Sequence, residues 1–185
     1  MRMLMDFYFI TTNRGKLREM ERMLKMRIKS KGLELGELQD TDVRRVARDK
    51  AMRAYYALRK PVMVEDTGLY IRALNGFPGA LVKWLLKGVG NRGMCRIMRS
   101  HRDRSAYAET CISLYDGRRV RSFCGRIEGS IAKSPSGGEG FGWDHIFIPN
   151  GSTRTFAEMD PEEKDMISHR GRAVMKLKGY LKSIS

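Results

Sequence analysis

The run from Pro61 to Gly68 constrains the fold most, because it joins an apolar segment to two adjacent carboxylates. A short apolar run such as Val62 to Val64 predicts a buried strand. Buried strands end where a sheet meets a crevice, and adjacent acids repel unless a cation or a proton neutralises one of them. Two interpretations of Glu65 and Asp66 remain open: a strand-ending turn with solvated acids, or a metal or general-base site.

The composition is that of a soluble globular protein. A chain of 185 residues, 42% of them hydrophobic and 31% charged, is long enough for one well-buried domain, or for one domain built of two lobes, spanning residues 1–185. No stretch approaches a membrane span, and Met1 to Asp6 shows no secretory pattern. Cys95, Cys111 and Cys124 lack metal-ligand spacing and are expected to be reduced thiols in the cytoplasm.

The net charge of +15 indicates which partners the protein can attract, and it says little about the fold. Nucleic acid and anionic small molecules are the candidate partners. One local concentration, from Lys83 to Arg104, holds seven Lys or Arg and one acid. No nucleic-acid-binding motif and no internal repeat is present.

A strand, a polar loop and a helix open the chain. Asp6 to Ile10 predicts a central strand, and the loop Thr11-Thr12-Asn13-Arg14-Gly15-Lys16 leads into a helix. Unpaired N–H groups at a helix start suit phosphate, although an ordinary N-cap explains Thr and Asn equally well. The helix has an apolar stripe of Leu17, Met20, Met23, Leu24 and Ile28.

Leu33 to Leu38 predicts a second strand, and a helix is expected from about Asp42 to Leu58. On a helical wheel Lys50 falls inside the apolar arc of that helix. Either its stem lies along an apolar edge with the ammonium in water, or its ammonium projects into a cleft that holds an anion.

The remaining pattern is mixed. Leu69 to Leu74 alternates like a strand, Asn75 to Gly79 predicts a turn, and short helices are expected at 80–87 and 91–99. Strands at 104–115 and 119–128 flank the hairpin signal Asp116-Gly117. The fold class is therefore α/β, with two α/β lobes on an extended mixed β-sheet.

The C-terminal third adds aromatic and basic side chains. Phe141-Gly142-Trp143-Asp144 is either core packing or a base-stacking platform with a hydrogen-bond acceptor. Ser168 is a candidate N-cap for the last helix, and Arg170 lies within that helix's apolar stripe. A buried guanidinium needs a partner, so Arg170 forms a structural ion pair or donates to a ligand.

Together, cations on apolar faces and an acidic pair favour phosphoryl chemistry with a bound metal, and the aromatic segment favours a nucleobase. Five segments in this order resemble the inosine triphosphate pyrophosphatase family, whose enzymes clear deaminated purine nucleotides. These segments are Thr11–Lys16, Val64–Leu69, Leu74–Gly79, Phe141–Asp144 and Ser168–Arg170. Val82 to Leu86 resembles the eukaryotic members.

The resemblance implies Mg²⁺-dependent hydrolysis of ITP, dITP and XTP to the nucleoside monophosphate and pyrophosphate, with the active site between the two lobes. It implies that Glu37 and Asp66 bind Mg²⁺, that Asp66 is the general base, and that Lys16 and Lys50 assist catalysis. The triphosphate would be held by Thr11, Thr12, Asn13, Arg14, Gly15, Lys16, Lys50 and Thr67. The base and sugar would be held by Phe141, Gly142, Trp143, Asp144, Lys164, His169 and Arg170.

The family is usually dimeric, so the resemblance implies a homodimer, with a nucleotide as its small-molecule partner. His145 departs from the family, which usually has Pro at this position. The alternative hypothesis is a nucleic-acid-binding protein that has kept the scaffold without the chemistry. The intact acids and lysines argue against nucleic acid as the partner, because a binding module has no use for a metal-binding pair.

Overall fold

A computed structural model describes residues 6–184 and shows a seven-stranded mixed sheet in the order β2-β1-β3-β5-β6-β7, with β4 paired to β3. The strands are β1 (Tyr8–Ile10), β2 (Ser30–Lys31), β3 (Val62–Ile71), β4 (Pro78–Gly79), β5 (Ser105–Tyr115), β6 (Val120–Ile131) and β7 (Phe147–Pro149). The helices are α1 (Arg14–Leu24), α2 (Val43–Leu58), α3 (Val82–Ile97), α4 (Pro161–Ile167) and α5 (His169–Ser183). The pattern read from Met1 to Met5 lies outside the described residues.

The first half of the sheet is parallel and the second half antiparallel, as predicted. Strand β1 pairs parallel with β2 and β3, whereas every pairing of β4 to β7 is antiparallel. Since alternate strand residues face opposite sides, Met63 packs with α1 and α5 on one face, and Val62 and Val64 pack with α2 on the other.

The second lobe lies at the C-terminal end of β3 and the N-terminal end of β5, which pair with each other. There Leu69 and Ile71 join one core cluster with Met94, Phe147 and Phe156. The predicted α/β class with two lobes on an extended mixed sheet is confirmed. No helix within residues 6–184 is both long and apolar enough to cross a membrane.

The prediction that a strand ends at the acidic pair was wrong. Strand β3 continues through Glu65 and Asp66 to Ile71, because β5 pairs with it along its whole length. The parallel neighbour β1 pairs only as far as Val64. The edge of β3 is therefore left without β1 at Glu65, and a cleft opens there.

The predicted strand at 33–38 was also wrong. Residues 33–40 form no helix or strand, and Ser30–Lys31 supplies β2 instead. Because β1 is only three residues long and pairs with β2 on one edge and β3 on the other, it has no free edge for Leu33 to Leu38. The alternating leucines nevertheless pack, since Leu33 and Leu35 cover the cluster beneath α2.

Two predictions about helices hold. The two short helices expected around Gly90 are the halves of α3, which is kinked at that residue (φ 64°, ψ 178°). A glycine tolerates this left-handed φ without the steric penalty of a side chain. Ser168 caps α5, accepting a hydrogen bond from the backbone N–H of Gly171.

The expectation of three reduced thiols was wrong for two of them. Cys111 on β5 lies directly opposite Cys124 on β6, and the two form a disulfide. Cys95 is free and buried. The spacing of 13 residues gave no sign of the pair, because the register of the hairpin decides which residues face each other.

Candidate active site

A cavity of about 660 Å³ lies where β1 ends beside β3. Its walls come from the loop after β1, residues 33–40, α2, the start of α3, the aromatic segment 141–144 and the start of α5. Elements from both lobes thus converge on one cleft, as the resemblance implied.

The loop after β1 forms the start of α1. The Asn13 side chain caps the helix by accepting a hydrogen bond from the backbone N–H of Lys16 at 3.1 Å. No acidic residue occupies the first turn of α1. The positive end of the helix dipole is therefore open to an anion on the side where Thr11, Thr12 and Asn13 line the cavity.

The adjacent acids of β3 are separated by strand alternation. Glu65 points to the face of α5, where it accepts hydrogen bonds from Nε and Nη2 of Arg170, both at 2.8 Å. Lys16 Nζ lies 3.3 Å from the same carboxylate. Burial opposes ionisation of Glu65, but Arg170 and Lys16 outweigh it and lower its pKa to about 2. Glu65 is therefore a structural counter-ion.

Asp66 points to the opposite face and has far fewer partners. Its Oδ1 accepts a hydrogen bond from the backbone N–H of Thr67 at 2.8 Å, and it forms no salt bridge with the residues between 6 and 184. Burial raises the pKa of Asp66 despite the nearby charges of Lys16 and Lys50. A carboxylate with a raised pKa that lines a cavity is well suited to accept a proton.

Lys50 reaches the cleft, as one of its two interpretations predicted. Its Nζ lies 2.8 Å from Glu37 Oε1. Burial opposes ionisation of Glu37, but the hydrogen bond from Lys50 lowers its pKa, with further help from Lys83. Lys83 also lines the cavity. Sequence reasoning missed Lys83 as a site residue because it considered only the basic run to which it belongs.

The site fits a magnesium ion that is shared with a substrate. Mg²⁺ prefers oxygen ligands and is commonly held by one or two carboxylates together with phosphates and water. Asp66 and Glu37 both line the cavity and interact electrostatically. Between residues 6 and 184 there is no cluster of three or more His, Cys, Asp or Glu side chains that could hold a metal ion; Asp66 and Glu37 are the two carboxylates that would contribute to one here.

The two aromatic residues of the segment 141–144 lie in different surroundings. Trp143 is core: it is 7% exposed and packs against Phe147 and His169. The ring of Phe141 lines the cavity and lies over Gly15, where an added Cβ would come within 2.6 Å of the ring. Phe141 is therefore the available stacking surface.

A buried network of charges supports that end of the cavity. Lys164 Nζ donates to Asp144 Oδ2 at 2.7 Å and to Glu19 Oε1 at 2.8 Å, and Glu19 also accepts a hydrogen bond from Arg170. Asp144 Oδ2 in turn accepts the backbone N–H of Phe141 at 2.8 Å. Arg170 is thus a structural ion pair that also lines the cavity.

Two polar residues complete this region. His169 is fully buried, its Nδ1 has no hydrogen-bond partner among the described residues, and burial lowers its pKa well below the ordinary value. Asn91 Nδ2, at the start of the second half of α3, donates to the carbonyl oxygen of Gly142 at 2.9 Å. Sequence reasoning missed Asn91 and Glu19, because neither belongs to a motif that carries chemistry by itself.

Most of the predicted site residues line this cavity together. They are Thr11, Thr12, Asn13, Lys16, Glu37, Lys50, Asp66, Thr67, Phe141, Gly142, Trp143, Asp144, His169 and Arg170. Three do not. The side chain of Arg14 is exposed, Gly15 lies under Phe141, and Lys164 is buried behind Asp144.

Comparison with known proteins gives one consistent result. The sequence model described as the Ham1 family matches residues 7–180. A dITP/XTP pyrophosphatase of Hyperthermus butylicus is 39% identical over 175 residues, covering 93% of this chain and 92% of the relative. An inosine triphosphate pyrophosphatase of Yarrowia lipolytica is 42% identical over 183 residues, covering 96% of each. The structure of a HAM1 protein from Coxiella burnetii matches with a TM-score of 0.82 at 30% identity, covering 96% of this chain and 99% of that chain.

Proposed function

Because the chain belongs to the Ham1 family, we propose that it is a nucleoside triphosphate pyrophosphatase that acts on deaminated purine nucleotides. Its substrates are ITP, dITP and XTP, and its products are the nucleoside monophosphate and pyrophosphate. The relatives named above support this proposal. The reaction removes these nucleotides from the nucleotide pool.

The observation that carries the proposal is the unpaired carboxylate of Asp66 between two lysines. Asp66 has a raised pKa and forms no salt bridge with the described residues, whereas its neighbour Glu65 is fully paired. In our proposal Asp66 accepts the proton of the attacking water. Cleavage then occurs between the α- and β-phosphates.

The loop from Thr11 to Lys16 and the side chain of Lys50 bind the triphosphate. Lys16, Lys50 and Lys83 line the cavity on the side of the acids, where they stabilise the charge of the leaving pyrophosphate. The open start of α1 adds backbone N–H donors. In this proposal Lys16 exchanges Glu65 for a phosphate oxygen when the substrate arrives.

Asp66 and Glu37 are the residues that would hold Mg²⁺, and the oxygen-only donor set suits that ion. The chemistry supplied by the bound ion is neutralisation of phosphate charge and polarisation of the anhydride. Glu37 forms a salt bridge with Lys50 in the absence of substrate, and this salt bridge keeps the Glu37 carboxylate ionised and in position.

The base lies against Phe141, with His169, Arg170 and Asp144 around its edge. Hydrogen-bond donors placed opposite position 6 of the purine favour hypoxanthine and xanthine, because the 6-keto oxygen of these bases accepts a hydrogen bond. The same donors disfavour adenine, whose 6-amino group offers no acceptor. A buried donor left unpaired costs about 1–3 kcal/mol, which sets the scale of the discrimination. Guanine shares the 6-keto group, so it must be rejected at position 2.

The family resemblance also supports a proposal about the domain organisation, the oligomeric state and the localisation of the enzyme. We propose that residues 1–185 form one pyrophosphatase domain, that the protein is a homodimer, and that it acts in the cytoplasm.

Pyrophosphate release from ITP, XTP, GTP and ATP, with Mg²⁺ and with EDTA, tests the proposal. We expect release from ITP and XTP to exceed release from ATP and GTP by about tenfold or more, and we expect EDTA to abolish it. Equal rates on all four nucleotides would refute the selectivity. The absence of release from any of them would refute the activity.

A further inference from the structure

The positive charge of the protein is concentrated on one layer of the fold. Residues 14–31, from α1 through β2, and residues 169–182 of α5 hold thirteen Lys or Arg against two acids. These 32 residues carry eleven of the fifteen net charges. Helices α1 and α5 share one core cluster on the same face of the sheet. We call this surface the α1–α5 layer.

Most cations of the layer have no anionic partner. Glu19 is buried with Lys164 and Arg170, and Glu21 pairs with Arg27 and caps the backbone N–H of Ile28. Nine cations of the layer form no salt bridge with any residue between 6 and 184. These are Arg14, Arg18, Lys25, Lys29, Lys31, Arg172, Lys176, Lys178 and Lys182.

The spacing of these cations works against the stability of the free protein. Arg14 and Arg18, Arg172 and Lys176, and Lys178 and Lys182 are four residues apart, so each pair lies on one side of its helix and repels. Helix α2, in contrast, has an attractive pair at this spacing. An external polyanion would relieve the repulsion on α1 and α5.

The burial pattern indicates which polyanion fits. The apolar stripes of both helices are already used in the core, and Met175 is the one large apolar side chain exposed within the described part of the layer. A helix that binds a membrane surface must insert an apolar face. The layer instead presents cations along α5, of which Arg172 and Lys176 are exposed while donating to carbonyl oxygens of β6. Helix α5 has 15 residues and is about 22 Å long.

We propose that the α1–α5 layer binds the phosphate backbone of duplex nucleic acid without reading its sequence. A duplex presents one negative charge per about 1.7 Å of its axis, so several phosphates lie within the length of α5. The cations of this layer that form no salt bridge lie outside the catalytic pocket, apart from Arg14 at its border. Binding of nucleic acid and catalysis are therefore separate properties.

Two charge-reversal variants with the same change in net charge test this proposal. The layer variant combines Arg18→Glu, Lys176→Glu, Lys178→Glu and Lys182→Glu. The control variant combines Arg92→Glu, Arg96→Glu, Arg99→Glu and Arg102→Glu, all exposed and within the basic run of the other lobe. Neither set includes a residue placed in the active site. Circular dichroism and thermal melting establish that both variants are folded; if either is not, both are replaced by versions with Gln instead of Glu at the same four positions.

The measurement is the fluorescence anisotropy of a labelled DNA duplex and an RNA duplex, titrated between about 50 and 200 mM salt. We expect dissociation constants of about micromolar at the lower salt for the wild type. The layer variant should bind about tenfold or more weakly, and its logarithmic salt slope should fall by about 3.6 for four lost phosphate contacts. The control variant should stay within about threefold of the wild type.

Three outcomes would overturn the proposal: no binding at the lower salt, equal loss in both variants, or binding to phosphatidylserine vesicles without binding to duplexes. Pyrophosphate release from ITP is measured on the same samples. The layer variant should retain the wild-type rate, so a failure of the proposed enzyme activity is distinguished from a failure of nucleic-acid binding.

Discussion

At the scale of single residues, the strand geometry of β3 divides the roles of two adjacent acids. Glu65 and Asp66 point to opposite faces because successive side chains alternate. Glu65 meets Arg170 and Lys16, whereas Asp66 keeps one backbone hydrogen bond. The sequence predicted that this pair matters. The family resemblance already assigned the general base to Asp66, but the role of Glu65 could not be predicted, because its partner Arg170 lies more than 100 residues further along the chain.

Asn91 positions the stacking surface through its hydrogen bond to Gly142. Losing a neutral hydrogen bond of this kind costs about 0.5–1.5 kcal/mol. We therefore expect Asn91→Ala to raise the KM for ITP by about two- to tenfold while kcat changes little. Steady-state kinetics measure both constants. Asn150→Ala, at an exposed position, is the matched control, and an unchanged KM in Asn91→Ala would contradict the positioning role.

At the scale of elements, Glu19 ties α1 to α4 and α5. It accepts hydrogen bonds from Lys164 and Arg170, and all three side chains are buried. Burial opposes ionisation of Glu19, but the two cations outweigh it and lower its pKa. The stability of the C-terminal helices therefore depends on a residue in the first helix.

Removing one partner of a buried ion pair leaves an uncompensated charge, which costs about 3–5 kcal/mol. We expect Glu19→Gln to lower the free energy of unfolding by about this amount, as measured by urea denaturation. Glu21→Gln, on the same helix and partly exposed, should cost less than about 1 kcal/mol. Equal losses in the two variants would show that the buried network adds no stability.

Local patterns predicted the elements whose partners lie close in sequence. Helix α2, the halves of α3, the β5–β6 hairpin and the Ser168 cap were all found in this way. The errors arose where a partner that is distant in sequence determines whether a segment forms a strand. Strand β3 extends past Asp66 because β5 pairs with it, and Leu33 to Leu38 stays irregular because β2 occupies the edge of β1. The Cys111–Cys124 pairing likewise depends on register.

At the scale of the whole molecule, the five ordered motifs predicted the family, and the chain belongs to it. Most of the site residues that the resemblance implied also line the cavity, because a nucleotide site needs the same groups in every member. The supporting residues Glu19, Asn91 and Lys83 were not predicted, since their importance depends on contacts between lobes or between distant helices.

Acid pH should destabilise the protein in two steps. Burial lowers the folded-state pKa of His169 well below its ordinary 6.5, so below pH 6.5 the unfolded chain binds a proton that the folded protein does not. Stability is therefore lost as the pH falls from 6.5. Glu19, with its lowered pKa, adds a further loss below 4.5.

The free energy of unfolding should fall as the pH decreases from 7 to 5, because His169 takes up a proton more readily in the unfolded chain than in the folded protein. Urea denaturation across this range measures the change. His169→Gln should remove the pH dependence, while His101→Gln should leave it intact. A His169→Gln variant with an undiminished slope would assign the pH dependence to other groups.

Asp66→Asn compared with Glu65→Gln separates the catalytic role of Asp66 from the structural role of Glu65. For each variant, kcat for ITP, the dissociation constant for ITP and the melting temperature are measured together. Asp66→Asn should lose about 10²–10⁴-fold in kcat while keeping its melting temperature and a measurable affinity for the nucleotide. Glu65→Gln should instead lose stability, because Arg170 is left with one fewer counter-ion. An Asp66→Asn enzyme with a wild-type kcat would contradict the account.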